Sequence, residues 1–350
     1  MKYLEIDFLK YAHPRTYVLI KPKFRKELFE SAMKTVGTKR KLAELIGSNK
    51  GTVNNWKNNK NYNKRKLPLF PLIKCCKILN LNSDELCRNI KSATLRYPAG
   101  DIRIKKWKVK FNEEFAEWFG MLDGDGSVSD REVSFSNTYF NLTLYFAKFV
   151  QNKFKINRNR ITMEVRYYTD DSITKAKELA NQLKQKGYCR VKIYRAYNHK
   201  GKKINLNFRV SFKVLSQFLL NIKNDLAIIL KKSPNPIKAA YLRGYSAAEG
   251  CASESKSNVR IITIAQNDAK ELNFIRSLLE DVGIENIDGP RYSGTAFRLG
   301  ITTQKELENF QRVVGFGHQE EKNEKLKNMI SHYKFTKYRK PDSRRYPCLN

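Results

Sequence analysis

Two stretches of the chain share an outline that constrains its fold more than any other feature. The first, WFGMLDGDG at residues 118–126, has a glycine five residues before Asp125 and another directly after it. The second, LRGYSAAEG at residues 242–250, repeats this arrangement around Glu249. Glycine inside a helix lowers helix stability by about 1 kcal/mol relative to alanine. It is therefore expected where another backbone must approach the helix closely. The outline therefore predicts two equivalent helices that cross at their glycines and end in carboxylates.

The residues around the first acid support a helix with one buried face. Phe115, Phe119 and Leu122 recur at the spacing of one helical face. The run DGDGS at residues 123–127 is expected to end this helix, with Gly124 and Gly126 able to take positive φ. A carboxylate at the C-terminal end of a helix meets the unfavourable end of the helix dipole, which a bound cation relieves. Two such carboxylates with Mg²⁺, facing a basic sheet, suit metal-assisted hydrolysis of phosphodiesters.

The charge of the chain narrows its class of partner. It has 68 Lys and Arg against 34 Asp and Glu, a formal net charge of +34. Such an excess favours nucleic acid as the partner, whereas no apolar run approaches the roughly 18 residues that a membrane span requires. Six cysteines without paired spacing and four scattered histidines argue against a zinc site and against disulfides. We therefore expect a cytoplasmic, nucleoid-associated monomer of a bacterial or archaeal cell, bound to double-stranded DNA.

The order of helical and strand-like segments divides the chain into an N-terminal helical part and a duplicated α+β part. Each half of the duplicated part reads αββαββα, which predicts an α+β fold with a pseudo-twofold axis. The expected domains are a helical domain over residues 1–92, a basic linker over 93–110, a first half over 111–233, a second half over 234–340 and a basic tail over 341–350.

A helix-turn-helix pattern is predicted at residues 38–59 of the N-terminal all-α domain. Leu42, Ala43 and Ile46 form the inner face of one helix, Gly47 suits a turn with positive φ, and Trp56 lies on the inner face of the next. The second helix exposes donors and acceptors suited to bases and phosphates. An ordinary basic helical hairpin is the alternative interpretation. The residues predicted to contact DNA are Asn49, Lys50, Thr52, Asn54, Asn55 and Lys57.

Two strand-like segments of the first half alternate apolar and polar residues with a period of two. This alternation indicates a sheet with one face packed on helices and one open face rich in basic and amide side chains. Such a face suits an anionic partner, and a merely solvated face is the alternative. The residues predicted to contact DNA from the sheets are Arg190, Lys192, Tyr194, Asn205, Asn207, Arg209 and Lys213, with Arg260 of the second half.

The two glycine-containing motifs resemble the paired signature motifs of the LAGLIDADG, or dodecapeptide-motif, homing endonucleases in their single-chain form. The resemblance extends over about residues 111–340. It implies a homing-endonuclease fold in which two antiparallel sheets form a saddle for DNA. It also implies a sequence-specific endonuclease that cuts both DNA strands, the activity used in intron homing.

The resemblance further implies the residues of the active site. Asp125 and Glu249 are the metal-binding and catalytic acids, with Mg²⁺ or Mn²⁺ as the cofactor, and Gly124 and Ala248 before them are assigned to the same metal site. Lys223 and Lys322 correspond to basic residues near the scissile phosphates. Two alternatives stay open: an RNA maturase that assists splicing of intron RNA, and a DNA-binding regulator that has lost cleavage.

Overall fold

The computed structural model describes residues 4–58, 66–94, 108–196, 203–255 and 259–335, which form two compact units. The first unit takes its residues from Tyr3–Asn112 and Asp125–Lys232, and the second from Glu113–Gly124 and Ser233–Asn350. Most of the expected linker and the whole basic tail lie outside the described residues. None of the described helices is long and apolar enough to cross a membrane.

The N-terminal part combines short helices with short strands. Its helices are α1 (Phe8–Tyr11), α2 (Pro22–Val36), α3 (Lys39–Ile46), α4 (Lys50–Asn58), α5 (Leu69–Ile78) and α6 (Ser83–Asn89). Its strands are β1 (Leu4–Asp7), β2 (Tyr17–Ile20), β3 (Leu67–Pro68), β4 (Ile90–Thr94) and β5 (Lys108–Phe111). β1 pairs with β5, and β3, β2 and β4 form a three-stranded sheet. The prediction of an all-α domain is therefore wrong, because strands of two to five residues are too short to show a period of two.

The N-terminal part and the first half of the duplicated region belong to one compact unit. Tyr11 of α1 donates a hydrogen bond from its hydroxyl to Asp225 at 2.9 Å, and Asn221 donates to the Tyr11 carbonyl at 2.8 Å. Both partners lie on the long helix α10 (Lys213–Lys231). The expected boundary near residue 92 thus does not separate two independent bodies.

The first half departs from the predicted αββαββα order by one inserted helix and one inserted strand. After α7 (Glu113–Asp125) come β6 (Gly126–Val128), β7 (Glu132–Asn137), α8 (Phe140–Phe154), β8 (Ile161–Tyr167), α9 (Ile173–Gln185), β9 (Arg190–Arg195), β10 (Asn205–Ser211) and α10. The sheet has the order β6-β7-β10-β8-β9. All its pairs are antiparallel except β8 with β9, which are parallel. The prediction of a purely antiparallel sheet therefore fails at this one edge.

The second half follows the predicted αββαββα order. Its elements are α11 (Asn235–Glu249), β11 (Gly250–Glu254), β12 (Arg260–Gln266), α12 (Ala269–Asp281), β13 (Asp288–Ser293), β14 (Ala296–Ile301) and α13 (Gln304–Val313), followed by α14 (Glu320–Phe335). The sheet order is β11-β12-β14-β13, and every pair is antiparallel. The α+β class and the duplication are confirmed.

The sheet of the first half packs one face against helices through aromatic side chains. Phe146 of α8 stacks on Phe135 of β7 with ring centroids 4.4 Å apart, and it meets Phe208 of β10 edge-on at 5.3 Å. All three rings are fully buried. Because neighbouring residues of a strand point to opposite faces, the polar residues between them lie on the other face of this sheet.

Candidate active site and nucleic-acid interface

The motif helices α7 and α11 cross at their glycines, as predicted. A Cβ atom added to Gly244 would lie 1.8 Å from the carbonyl oxygen of Glu117. One added to Gly120 would lie 2.1 Å from the carbonyl oxygen of Tyr241. Real Cβ atoms do not approach backbone oxygen this closely. Only glycine at these two positions permits the observed contact between the backbones.

The helices end at the predicted acids, but not through the predicted turns. Asp125 is the last residue of α7 and Glu249 is the last residue of α11. Gly126 and Gly250 each begin a strand at once, and Gly250 is extended with φ −80° and ψ 151°. Gly124 is helical, and no positive φ is recorded for it or for Gly126 among the described residues. Neither glycine therefore uses the positive φ that is open to it, because the strands continue directly from the helix ends.

Gly124 serves the helix crossing instead of a turn. A Cβ atom at Gly124 would lie 2.6 Å from the Cβ of Ala248 and 3.2 Å from the Cγ of Glu249. The small residues of α7 and α11 therefore stay in contact up to the position just before Asp125. This contact fixes where the backbone of Glu249 stands against α7.

The carboxylate of Asp125 has a hydrogen-bond partner that the sequence did not single out. Asn137, the last residue of β7, donates from Nδ2 to Oδ2 of Asp125 at 2.5 Å. Its side chain also accepts from the backbone N–H of Tyr139 at 2.8 Å, and the residue is 8% exposed. Asn137 is thus held from two sides and orients one oxygen of the acid. The only sequence signal for it is an amide at the end of the second strand after the motif.

Asp123 forms a hydrogen bond across the helix crossing. The hydroxyl of Tyr241 donates to Oδ2 of Asp123 at 2.7 Å. Burial raises the pKa of Tyr241 well above its ordinary value, and the nearby carboxylate of Asp123 raises it further. Tyr241 therefore stays protonated and acts as a permanent donor. Asp123 contributes to the contact between the helices, which explains why the second motif needs no acid at the corresponding Ala247.

A charged pair lies beside the glycines of the crossing. Arg243 of α11 approaches Glu117 of α7 at 3.5 Å and donates from Nε to the carbonyl of Val314 at 2.9 Å. The Glu117 side chain is 11% exposed. Arg243 is tolerated in this helix because it pairs with the carboxylate of Glu117 and donates a hydrogen bond to a backbone carbonyl. A buried charge requires such partners.

The two predicted lysines lie in different settings. Lys322 of α14 donates from Nζ to the carbonyl oxygens of Ala247 at 2.8 Å and Ala248 at 3.2 Å. It thereby caps the C-terminal end of α11 next to Glu249, where a cation is favourable. Lys223 is exposed on α10, which belongs to the first unit, whereas Lys322 belongs to the second. The ammonium of Lys322 thus donates a hydrogen bond to the carbonyl of Ala248, a residue that the resemblance assigned to the metal site.

The donor chemistry of the two acids fits a hard divalent cation. Among the residues that the structure describes, no cluster of three or more His, Cys, Asp and Glu side chains could hold a metal ion by itself. Mg²⁺ is usually held by only one or two carboxylates, with substrate phosphates and water completing its coordination. Carboxylates such as Asp125 and Glu249 suit Mg²⁺ and Mn²⁺ alike.

The open face of the first sheet carries the predicted polar residues, but acids partner the central arginine. Arg209 of β10 approaches Glu132 of β7 at 2.7 Å and Glu164 of β8 at 3.2 Å. Arg166 also approaches Glu164, at 2.9 Å, and Asn207 donates to the same carboxylate at 3.1 Å. Neither acid is apparent from the sequence as a partner of Arg209, because cross-strand neighbours are not adjacent in the chain.

This network keeps Glu164 ionised. Burial acts to raise the pKa of Glu164, but hydrogen bonds from Arg166 and Arg209 outweigh it and hold the pKa below its ordinary value. The pKa of Arg209 is raised chiefly by its hydrogen bond to Glu132. The centre of the open face is therefore a fixed set of paired charges.

The remaining residues predicted to contact DNA from the sheets divide by exposure. Arg190, Lys192 and Tyr194 of β9 are exposed, and Lys213, the first residue of α10, is half-buried. Asn205 accepts a hydrogen bond from Ser136 at 2.8 Å. Arg260 is 5% exposed and donates to Glu254 at 2.9 Å. The prediction that Arg260 contacts DNA is not supported by this placement, because its side chain points into the buried face of the second sheet.

The helix pair α3–α4 has the predicted turn. Gly47 has φ +70° and ψ +47°, and its N–H bonds back to the carbonyls of α3. Asn49 accepts from the Thr52 N–H at 2.7 Å and so caps α4, while Lys57 pairs with Glu30 at 3.2 Å. Asn54 accepts from Lys39 at 3.0 Å. The two exposed members of the predicted DNA-contacting set that have none of these contacts are Lys50 and Asn55. Whether the pair binds DNA stays a prediction.

Comparison with known proteins supports the relationship that the motifs suggested. Residues 236–315 match the family model described as LAGLIDADG-like domain. The homing endonuclease I-ApeI of Aeropyrum pernix is 24% identical over 164 residues, which cover 43% of this chain and 71% of that protein. Variants of the homing endonuclease I-DmoI align with a TM-score of 0.38 and 14% identity, covering 58% of this chain and 88% of that chain.

Another solved structure aligns over a similar length. Full-length DUF199/WhiA from Thermatoga maritima has a TM-score of 0.39 and 14% identity, covering 65% of this chain and 62% of that chain. The matched family domain, residues 236–315, begins at the second motif helix and includes all four strands of the second sheet. The chain therefore carries a LAGLIDADG-like domain, and its resemblance to the LAGLIDADG homing endonucleases is confirmed.

Proposed function

We propose that this chain is a metal-dependent endonuclease that cuts both strands of DNA at a specific sequence. The observation that carries the proposal is the pair of motif helices, which pack through Gly120 and Gly244 and each end in a carboxylate, Asp125 or Glu249. A protein that only binds DNA gains nothing from acids at such positions, because carboxylates repel phosphate. The name of the A. pernix relative, homing endonuclease, supports the same class of activity.

Double-stranded DNA is the proposed partner. The net charge of +34 attracts a polyanion over a long range, and sequence-independent contacts to phosphates account for much of the affinity of such proteins. The structures of I-DmoI include a complex with DNA and Ca, and complexes of its variants with their target DNA in the presence of Mn or Mg. For this chain, the exposed polar face of the first sheet is the proposed contact surface, and a β-sheet can enter the major groove.

The chemistry is assigned to the two acids and their neighbours. Asp125 and Glu249 would each hold a divalent ion, Mg²⁺ or Mn²⁺, which when bound polarises a phosphoryl oxygen and lowers the pKa of water. Asn137 holds one oxygen of Asp125, so the acid presents its other oxygen in a fixed direction. Lys322 places a positive charge beside Glu249 at the end of α11, where it would offset negative charge that develops on a phosphate. The role of Lys223 near a scissile phosphate is proposed from the resemblance alone.

A randomised library of double-stranded DNA tests this proposal. The protein is incubated with the library in Mg²⁺, in Mn²⁺ and in EDTA, and the cut ends are sequenced. We expect metal-dependent cuts on both strands at one recurring sequence. Asp125→Asn and Glu249→Gln should abolish cutting and retain binding, whereas Glu308→Gln, an exposed position of α13, should cut like the parent.

The other outcomes identify the alternatives. Sequence-specific binding without cuts in any metal would indicate a regulator. Splicing of an intron RNA that depends on the protein, in the absence of DNA cleavage, would indicate a maturase. Cleavage by Asp125→Asn at the parent rate would refute the assignment of that acid.

A further inference from the structure

The first half contains an insertion that the second half lacks, and it lies at the edge of a sheet. Without β9, the first sheet has the order β6-β7-β10-β8, which corresponds strand for strand to β11-β12-β14-β13 of the second sheet. The insertion of α9 and β9 follows β8 and adds a fifth strand beside it. The two halves therefore differ by one strand at equivalent edges.

The inserted strand is parallel because a helix connects it to its neighbour. A strand, a crossover helix and a second strand form a parallel pair. α9 packs on β8 and β9, and Tyr188, just after α9, accepts a hydrogen bond from Gln151 of α8 at 2.9 Å. α9 thus covers the same face of the sheet as α8 does. The opposite face of β9 is left open.

The register of β9 determines which of its side chains reach that open face. Val191 and Ile193 are aligned with Met163 and Val165 of β8, which are buried. The other residues of β9 therefore point to the face that carries Glu164 and Arg209. These residues, with their partners on β8, are Arg190 beside Thr162, Lys192 beside Glu164 and Tyr194 beside Arg166.

The cations of β9 differ from those in the centre of the face. Arg209 and Arg166 are bound to Glu132 and Glu164, so a phosphate or a base must compete with a carboxylate for them. Arg190 and Lys192 are exposed, and among the described residues neither has a recorded hydrogen bond or ion pair. Tyr194 is 41% exposed and adds an aromatic surface. The edge strand therefore holds exposed cations of this face for which a DNA phosphate need not displace a carboxylate.

We propose that β9 is a specificity-determining extension that contacts DNA on one side of the recognition site only. This inference rests on the proposed DNA endonuclease function. Arg190, Lys192 and Tyr194 would contact nucleotides at the outer part of one half-site, and the described residues of the second half include no strand that could make the equivalent contacts. The recognition site should consequently extend further from the cut on one flank than on the other.

Paired double variants test the inference on the full chain. Arg190→Ala/Lys192→Ala removes two charges from the open face of β9. Lys175→Ala/Lys177→Ala removes two charges from the exposed side of α9, which lies over the opposite face. The DNA is the site recovered from the library, and binding is measured in EDTA over a series of salt concentrations. Hydroxyl-radical footprints and repeated library selection give the contacted and specified positions.

The β9 variant should lose about tenfold or more in affinity at low salt, and the slope of log K against log salt should fall by about two. Its footprint and its sequence preference should shorten on one flank, with cleavage still at the same bond. The α9 variant should retain the parent footprint. Unchanged melting temperatures of both variants would show that neither effect reflects unfolding.

Three results would overturn the inference. Equal losses for the two variants would mean that net charge, and not β9, is responsible. A parent footprint that extends equally far on both flanks would contradict the asymmetry. If the full protein bound single-stranded RNA more tightly than the DNA site, β9 would be assigned to another partner. If the parent protein neither binds nor cuts any DNA, the proposed function itself has failed.

Discussion

Replacing Gly244 with alanine tests the central feature of the structure, the contact between the motif helices. The new Cβ atom would lie 1.8 Å from the Glu117 carbonyl oxygen, 2.7 Å from its carbonyl carbon and 3.0 Å from the Met121 nitrogen. All three are backbone atoms, so no side chain can rotate away. The helices must separate by roughly 1.5 Å to restore an ordinary van der Waals contact.

Opposing effects set the expected loss of stability. Alanine favours a helix over glycine by up to about 1 kcal/mol. Overpacking costs about 1–3 kcal/mol, occasionally more, and a gap of 0.5–1 Å already forfeits roughly a quarter to a half of each contact that it opens. The residues that would lose contact include Tyr241 and Tyr245, which approach Gly120 across the crossing and are fully buried. We therefore expect a net destabilisation of about 2–3 kcal/mol, or a melting temperature lower by about 5–8 °C.

Calorimetry and cleavage kinetics measure the two consequences separately. Gly51→Ala is the matched control, since Gly51 lies in helix α4 and its added Cβ would meet only a side-chain oxygen of Asn49 at 3.5 Å. This control should melt at or slightly above the parent temperature. Gly244→Ala should also cut DNA on the order of 100-fold more slowly, because a displacement of about 1 Å at a catalytic group can have that effect.

A clear result would refute this reasoning. If Gly244→Ala melts at or above the parent temperature, as the control does, helix propensity exceeds the clash. The tight crossing would then not be the reason for glycine at this position. A melting temperature that falls equally in Gly51→Ala would show that the loss is unrelated to the crossing.

Three further predictions concern buried polar groups and cysteines. Tyr241→Phe removes the hydrogen bond to Asp123 and should destabilise the protein by about 1–3 kcal/mol, because it takes a donor from a carboxylate; a denaturant midpoint equal to that of the parent would contradict this. Glu164→Gln should lower stability at neutral pH. Since the folded-state pKa of Glu164 lies below its unfolded value, its contribution is present above the unfolded pKa and lost as the pH falls through the folded pKa, so the stabilities of parent and variant should converge once the pH is below the folded pKa. Cys251 is exposed on β11 and should be alkylated much faster than Cys75, because burial raises the pKa of Cys75 to about 12. Bound DNA should slow the reaction at Cys251. Mass spectrometry of labelled peptides measures both rates.

Much of the fold could be predicted from local patterns. The helix that ends at Asp125 was identified from apolar spacing, and the turn at Gly47 from the position of one glycine between two amphipathic runs. The role of Gly120 and Gly244 followed from comparing two stretches of the chain, because a repeated glycine inside a helix indicates a repeated close contact. The helix and the turn depend on residues within about one helix length of each other.

The features that are not apparent from the sequence all depend on how strands pair and on which face of a sheet a residue occupies. β3 has two residues and no periodicity, and it is a strand only because β2 lies beside it. Arg209 meets Glu132 and Glu164 across neighbouring strands. Asn137 reaches Asp125 because β7 returns antiparallel to β6. Arg260 lies in a strand whose residues alternate between two faces, but its side chain is on the buried face, where it donates to Glu254.

The sequence by itself determined that this chain holds two equivalent helices, each ending in an acid, within a strongly basic α+β protein. Tertiary structure alone decided which charges are accessible. Pairing with Glu132 and Glu164 neutralises Arg166 and Arg209, and burial makes Arg260 inaccessible, while the parallel edge strand β9 leaves Arg190 and Lys192 exposed. The physical reason is that periodicity along a segment is written in neighbouring residues, whereas desolvation and pairing of a charge depend on the elements that fold against it.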